Sequence, residues 1–550
     1  MKASVLALFF AISAVAAAQS SMSMPMNAAP PPAERLGTVS FAVSCGQQVQ
    51  SPFNRGVALL HDFWYAEARP QFERIASADP GCAMAHWGIA MSVFHQIWDR
   101  PDDDAMKLGW EEIEKAQALP ASAPRDRDYI AALSVFYKPG SEDFMARVAA
   151  YSAAMGALYR TYPGDVDAGA FYALSLLASE APDDTSLRLE HEAMAVLTPL
   201  YIKYPDNPGV VHYIIHSCDN PAMAKEALAA SEHYGEIAPS GPHATHMPGH
   251  IFARLGLWQQ DIDSQLASIR ASEIAEAHHE DGIMDEAHSN DFLMYAYLQS
   301  GQDANAKAVL EKIPLLMERI GSMPGMHWMV GYYRTKFPVF YALEMRDWNA
   351  ASALEPFPGA LPDNATLTWW ARAIADGHLH HADQAKADLA QYDALMAEVR
   401  KGKHAYYADS TGAQIARNEV AAWVSFAAGQ QEDALKHLRD AADLQDKVGQ
   451  GEVDIPAREM LGDMLLELHQ PLPALAEYRV ALKLSPNRFN GLYNAGVAAE
   501  QTGDKIAAAD YFAALLKSTG SGAQSSRPEL AHARSFLSSY RLAVGQVREQ

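Results

Sequence analysis

The sequence predicts an all-α solenoid, a stack of helical hairpins, and three observations carry that prediction. From residue 50 onward, alanine-rich amphipathic stretches alternate with short Pro, Gly or Asp turns, which is helical periodicity and not strand alternation. Near the C-terminus Gly462, Ala474 and Tyr478 are matched by Gly496, Ala508 and Phe512, each pair 34 residues apart. Near the N-terminus Gly56, Ala68, Phe72 and Pro80 fill the same template within "FNRGVALLHDFWYAEARPQFERIASADP". A glycine lets the two helices of a hairpin approach, the alanine meets that close contact, and the aromatic one turn later fills the gap between hairpins. Pro486 then ends its unit in "LKLSPN". One hairpin cannot bury its apolar face alone, so the units are expected to stack into a right-handed superhelix with a concave groove.

At 550 residues the chain exceeds one ordinary core, which calls for several domains or one extended array. Apolar residues make up 49% and charged residues 20%, the balance of a folded protein. The net charge of −24, from 43 basic and 67 acidic residues, repels phosphate backbones, and no basic run offsets it. Nucleic acid is therefore not an expected partner.

Taken in order, residues 1–18 read as a signal peptide: Lys2, an apolar run from Ala3 to Val15, and Ala16-Ala17-Ala18 before Gln19. No cysteine follows the cleavage site to carry a lipid anchor, and no other stretch is long and apolar enough to span a bilayer. The expectation is an exported, soluble protein, periplasmic or secreted. Residues 19–44 read as a flexible Met/Pro-rich leader. Its Met22, Met24 and Met26 either hold Cu(I) through their thioethers or are plain linker. The rest divides into an N-terminal degenerate array with a histidine block, 45–355, and a C-terminal array, 356–540.

Three cysteines remain, Cys45, Cys82 and Cys218, with three pairings open to them or none if all stay as buried thiols. Cys45 and Cys82 flank the first hairpin, which makes Cys45–Cys82 the preferred disulfide in an oxidising compartment.

The 34-residue units resemble tetratricopeptide repeats. The resemblance covers most of residues 50–540, strong at both ends and degenerate in the middle, where "LYRTYPGD" and "LYIKYPD" echo each other 42 residues apart. Less regular units surround Ala385, Ala434 and Ala441.

The histidine block writes one pattern twice. "PGVVHYIIH" (Pro208 to His216) and "PHATHMPGH" (Pro242 to His250) both read P-x3-H-x3-H at the 34-residue offset. Each proline suits the first turn of a helix, where its missing N–H is harmless. His212 and His216, then His246 and His250, fall i, i+4 on the first helices of successive hairpins, and His243 extends the second stripe. Neighbouring helices lie about 8–10 Å apart, so the four histidines can converge on one patch. Two H-x3-H half-sites can supply three or four imidazole ligands to Zn or Cu and leave a position for water. His288 is a further ligand candidate, with Asp285 at i−3 on the same face. Asp219, together with Glu232, His233 and Glu236, is a candidate to orient imidazole N–H groups. Cys218 is out of phase with the pair and is not a ligand candidate. The alternative is a polar network or peptide groove without metal. Pro248 also threatens the register between His246 and His250 by removing a helix hydrogen bond.

"HATHMPGHIFARLGLW" (His243 to Trp258) resembles a segment of exported bacterial tetratricopeptide proteins with an H-x2-H-M-P-x-H-I-F-x-R-L-G-x-W run and similar "HYIIH" and "FWYAEA" segments upstream. The resemblance implies an exported repeat fold and no particular reaction. Those proteins more often carry a non-cysteine residue at the Cys218 position, which weighs further against a thiolate ligand.

No G-x-S-x-G, H-E-x-x-H, Walker or G-x-G-x-x-G motif is present. The aromatic clusters around Phe63, Trp64 and Tyr65, and around His86, Trp87, His95 and Trp98, read as hairpin core before cofactor boxes. The Met/aromatic stretch from Met323 to Arg334 likewise reads as solenoid filling before a binding surface. The functional expectation is an exported scaffold that takes a protein or peptide partner in its groove. A metal-binding protein is the alternative, or a metal-dependent enzyme with Asp285 or Glu280 as base.

Overall fold

The computed structural model describes residues 34–548, apart from 98–99, 122, 141–142, 182–183, 324–325, 403–404, 450, 452 and 521–524. The signal peptide, Met22, Met24, Met26 and Trp98 lie outside these described residues. No strand occurs among the described residues, and the chain is an all-α solenoid of tetratricopeptide-type hairpins.

The glycine–aromatic contact predicted from the repeat is what packs the units. A Cβ on Gly56, in helix Gln50–His61, would sit 2.7 Å from the Phe72 ring of helix Tyr65–Ala78. On Gly88, in the next helix, it would sit 2.2 Å from the same ring. Phe72 therefore fills the gap between hairpins, wholly buried. Gly462 with Tyr478 and Gly496 with Phe512 repeat the contact at 2.7 and 2.5 Å. Gly156 and Tyr172, at 2.8 Å, are a further instance in the degenerate middle.

Two of the expected boundaries move. The leader does not stay loose to residue 44. Gly37 N–H donates to Ile237 O at 2.9 Å, Thr38 N–H donates to Asp206 O at 2.7 Å, and Phe41 is fully buried with the Arg125 guanidinium 4.1 Å from its ring. This extended segment satisfies its backbone on the loops between helices, so it shows no periodicity of its own. The seam between arrays is not at 355 either. One buried cluster runs from Leu36 to Ala275 and the second from Ala253 to Leu537, while residues 35–550 form one compact unit.

The C-terminal hairpins fold back on the middle of the chain. Trp258 Nε1 donates to Asn487 O at 2.8 Å, Phe489 N–H donates to Gln299 Oε1 at 2.9 Å, and Tyr295 OH donates to Asp454 O at 3.0 Å. Arg488, fully buried, is held by Glu459 and Glu344 at 2.9 Å each. These bonds anchor the C-terminal half of helix Ile283–Gln299, which carries His288. Cys45 and Cys82 form a disulfide with Cα atoms 4.9 Å apart, tying the N-terminal segment to the start of helix Ala83–Met91. Cys218 is a buried thiol, pushed up to about 12 by burial first and then by Glu226 and Asp219. No described helix is long and apolar enough to cross a membrane.

Two expectations follow from this packing. Gly496→Ala gains about 0.5–1 kcal/mol of helix propensity but overpacks the Phe512 ring at about 1–3 kcal/mol. A net loss of stability is expected in urea unfolding, and an unchanged midpoint would refute the contact. Glu419 is buried beneath Trp370, whose Nε1 donates to its Oε2 at 2.7 Å, and burial together with Asp454 raises its carboxyl from 4.5 to about 8. A carboxyl raised on folding contributes stability in its protonated form. That contribution is complete below 4.5 and is lost as pH rises through about 8. Urea titrations across this window should show the wild type weakening more with pH than Glu419→Gln.

Candidate metal centre

The histidines are placed by three successive first helices of hairpins. Asn207 caps the first, its side chain accepting from Val210 N–H at 3.0 Å, and Pro208 opens helix Pro208–Ser217 at its first turn. Pro242 opens the second in the same way, and Pro248 does not abolish it. The chain splits into helices Pro242–His246 and Pro248–Arg254 about Met247, with Pro248 in the first turn of the latter. His246 and His250 still face each other, their ring centroids 4.8 Å apart. Helix Ile283–Gln299 is the third.

The six candidate ligands come together, but not as one patch of four. His212, His216 and His243 form one set and His246, His250 and His288 a second, and within each set the ligand atoms lie within 4.8 Å of one another. Each set takes an i, i+4 pair from one hairpin, the second pair straddling the break at Met247, and a single histidine from the next. His243 lies one turn before His246 and so turns back toward the preceding helix, leaving the His246/His250 pair to meet His288. His243 and His246, in different sets, have ring centroids 6.0 Å apart.

Hydrogen bonds from behind fix which nitrogen faces inward. His212 Nδ1–H donates to the His61 carbonyl at 2.6 Å, and its buried Nε2 has no hydrogen-bond partner. His61 is itself held between Tyr213 OH at 3.0 Å and Asp167 at 3.1 Å. His250 Nδ1–H donates to Asp219 at 2.8 Å, and Arg254 Nε donates to the other oxygen of that carboxylate at 3.0 Å. Gln265 donates to Asp261 at 2.8 Å, so its Oε1 accepts from His246 Nδ1–H at 2.6 Å. His246 and His250 therefore turn their Nε2 lone pairs toward each other, 2.9 Å apart. Two acceptors at that distance repel unless a proton or a cation lies between them. Burial drives the bases toward neutrality: His212 falls to about 3, and His243 falls well below its ordinary value through burial and then the neighbouring histidines.

Two glycines make room for this support. A Cβ on Gly209 would meet His61 Nδ1 at 2.3 Å, and one on Gly249 would meet Gln265 Nε2 at 1.9 Å. Both follow prolines, in "PGVVH" and "PGH", a signal present in the sequence that the histidine spacing overshadowed.

The other expected orienting groups divide. Asp285 lies 3.6 Å from His243 Nδ1 and is raised to about 7 by burial and then Asp281. Glu232, His233 and Glu236 sit elsewhere: Gln260 donates to Glu232 at 3.3 Å, and His233 lies 2.9 Å from Asp206 and 3.6 Å from Glu236.

His216, His243, His250 and His288 line a cavity of ≈ 990 Å³, with His212 and His246 behind them at 0% and 1% exposure. Phe63, Trp64 and Tyr65 line it too, so a cluster expected to be hairpin core is also pocket wall. Phe63 adopts φ 56°, in the left-handed region, and its ring stacks on His216 and His243 with centroids 5.4 and 5.5 Å away. Met323, Met326, Trp328, Met329 and Tyr333, expected as filling, form another wall. Glu67, Glu276, Glu280, Asp281 and Asp285 make the remainder acidic. His86 and Trp87 do not line this cavity. His86 pairs with Glu112 at 2.6 Å, and Trp87 is core.

No protein-family model matches the chain, and no curated protein sequence is similar to it. Among solved structures, the human IFIT1 dimer with m7Gppp-AAAA is similar over 79% of this chain and 90% of its own, at 11% identity and a TM-score of 0.35. Yeast Tom70 is similar over 85% and 99%, at 14% identity and a TM-score of 0.30. Superpositions this loose say nothing about ligand or partner.

The support behind the histidines generates one expectation. Gly209→Ala should displace His61 and destabilise the fold by about 1–3 kcal/mol in chemical unfolding. A variant as stable as wild type would show that His61 has room to move.

Proposed function

We propose that this chain is an exported helical-repeat protein that holds a first-row transition metal, zinc or copper, on the histidine block in the wall of its groove. The observation that carries this reading is the 2.9 Å approach of His246 Nε2 and His250 Nε2, each ring oriented from behind so that a lone pair faces inward. A tetrahedral ion with bonds of about 2.0–2.1 Å would hold such nitrogens about 3.4 Å apart. The pair would need to open by only about 0.5 Å, within ordinary side-chain adjustment. Asp219 on His250 supplies the carboxylate–histidine support that metal ligands ordinarily have. The acidic pocket wall favours cations over anions. The Cys45–Cys82 disulfide and the leader sequence support export to an oxidising compartment.

A second reading, the groove as a binding surface for a protein or peptide segment, is favoured by the methionine and aromatic walls of the same cavity. Metal-dependent catalysis would use the same centre, with Asp285 or Glu280 as base in the cavity.

Metal analysis by mass spectrometry on protein from its native compartment tests the first reading. Wild type should carry zinc or copper in stoichiometric amount, and the content should fall in both His212→Ala and His246→Ala. Asp219→Asn should lower metal affinity by about 10–100-fold with circular dichroism unchanged. Wild type that arrives without metal and takes up none on addition leaves only the groove reading.

A further inference from the structure

We infer that the histidine block is a two-ion centre. One divalent first-row ion sits on His212, His216 and His243, a second on His246, His250 and His288, and their open positions face one pocket. The inference rests on the reading that the block holds metal.

Geometry argues against a single ion. With imidazole bonds of about 2.0–2.1 Å, no ion touches two nitrogens more than about 4.2 Å apart. Each set of three, with atoms already within 4.8 Å, closes on one ion with small side-chain movement. The ligand atoms group as two threes and not as one six. One ion would have to abandon one of the sets.

The two sets are also built alike. Each joins an i, i+4 histidine pair to a single histidine of the next hairpin; the 34-residue period duplicates the pair, and the fold supplies the third histidine of each set, His243 or His288. Each has its own support: the His61 carbonyl for the first, Asp219 and Gln265 for the second. Each places one histidine behind, His212 or His246, and two on the pocket wall. Three protein ligands leave a coordination position open, and both positions then open on the same cavity. Six neutral imidazoles cancel none of the charge of two dications. The chemistry of the shared space therefore favours a small anion that bridges them.

Native mass spectrometry of the full chain titrated with Zn(II), and separately with Cu(II), reads the count directly. Wild type should saturate at two ions, while His216→Ala and His288→Ala should each keep one, with circular dichroism reporting that both variants are folded. Azide added to the Cu(II)-loaded proteins probes the shared anion. Wild type should bind it about tenfold or more tightly than either single-ion variant, because two contacts act together. Saturation of wild type at one ion overturns the two-ion centre and leaves metal binding intact. Loss of all metal in either variant, or retention of two ions, overturns the division into two independent sets. Equal azide affinity in all three overturns the bridge. No uptake by wild type overturns the inference together with the reading beneath it.

Discussion

The glycine–aromatic contact between helices is the constraint on which everything else depends. Gly56 with Phe72, Gly156 with Tyr172, Gly462 with Tyr478 and Gly496 with Phe512 all bring a ring to where a Cβ would lie within 3 Å. Only a residue without a side chain lets the helices approach this closely. The aromatic then fills the space to the next hairpin, as Phe72 does between Gly56 and Gly88. In the histidine-bearing helices the close approach falls instead to Gly209 against His61 and Gly249 against Gln265. The packed helices there bring His212 and His216 to His243, and His246 and His250 to His288, which isolated helices could not arrange.

Bringing imidazoles into a core is unfavourable unless each polar atom is matched. The surroundings do this in layers on the Nδ1 side, while the buried His212 Nε2 has no hydrogen-bond partner. Asp167, Tyr213 and His61 stand behind His212, Arg254 and Asp219 behind His250, and Asp261 and Gln265 behind His246. Every such chain ends in an acceptor for the imidazole Nδ1–H, so the nitrogen left facing inward is itself an acceptor. Between His246 and His250 this leaves two nitrogens 2.9 Å apart that only a shared proton or a cation can reconcile.

The rest of the molecule holds this arrangement in place. The C-terminal hairpins, far from the histidines in sequence, grip helix Ile283–Gln299 through Tyr295, Gln299 and Arg488. That grip positions the helix from which His288 completes the second set. Met323, Met326, Trp328, Met329 and Tyr333 line the same cavity with thioethers and rings. Array and site thus belong to one compact unit, even though the repeat is regular only at its ends.

Composition and spacing by themselves determined the helical class, the hairpin register at both ends and the six histidines of interest. Those features are local: a helix face and a 34-residue period are set by which residues lie i, i+4 and one repeat apart. Tertiary structure alone decided how the histidines divide, because His243 turns toward the preceding helix while His246 and His250 turn toward the next. It also decided that Phe63 lies on His216 and His243, that Gly209 and Gly249 clear space for His61 and Gln265, and that residues 35–44 are packed. Each of these depends on contacts between segments remote in sequence or on a backbone that follows no period, and spacing along the chain carries no record of either.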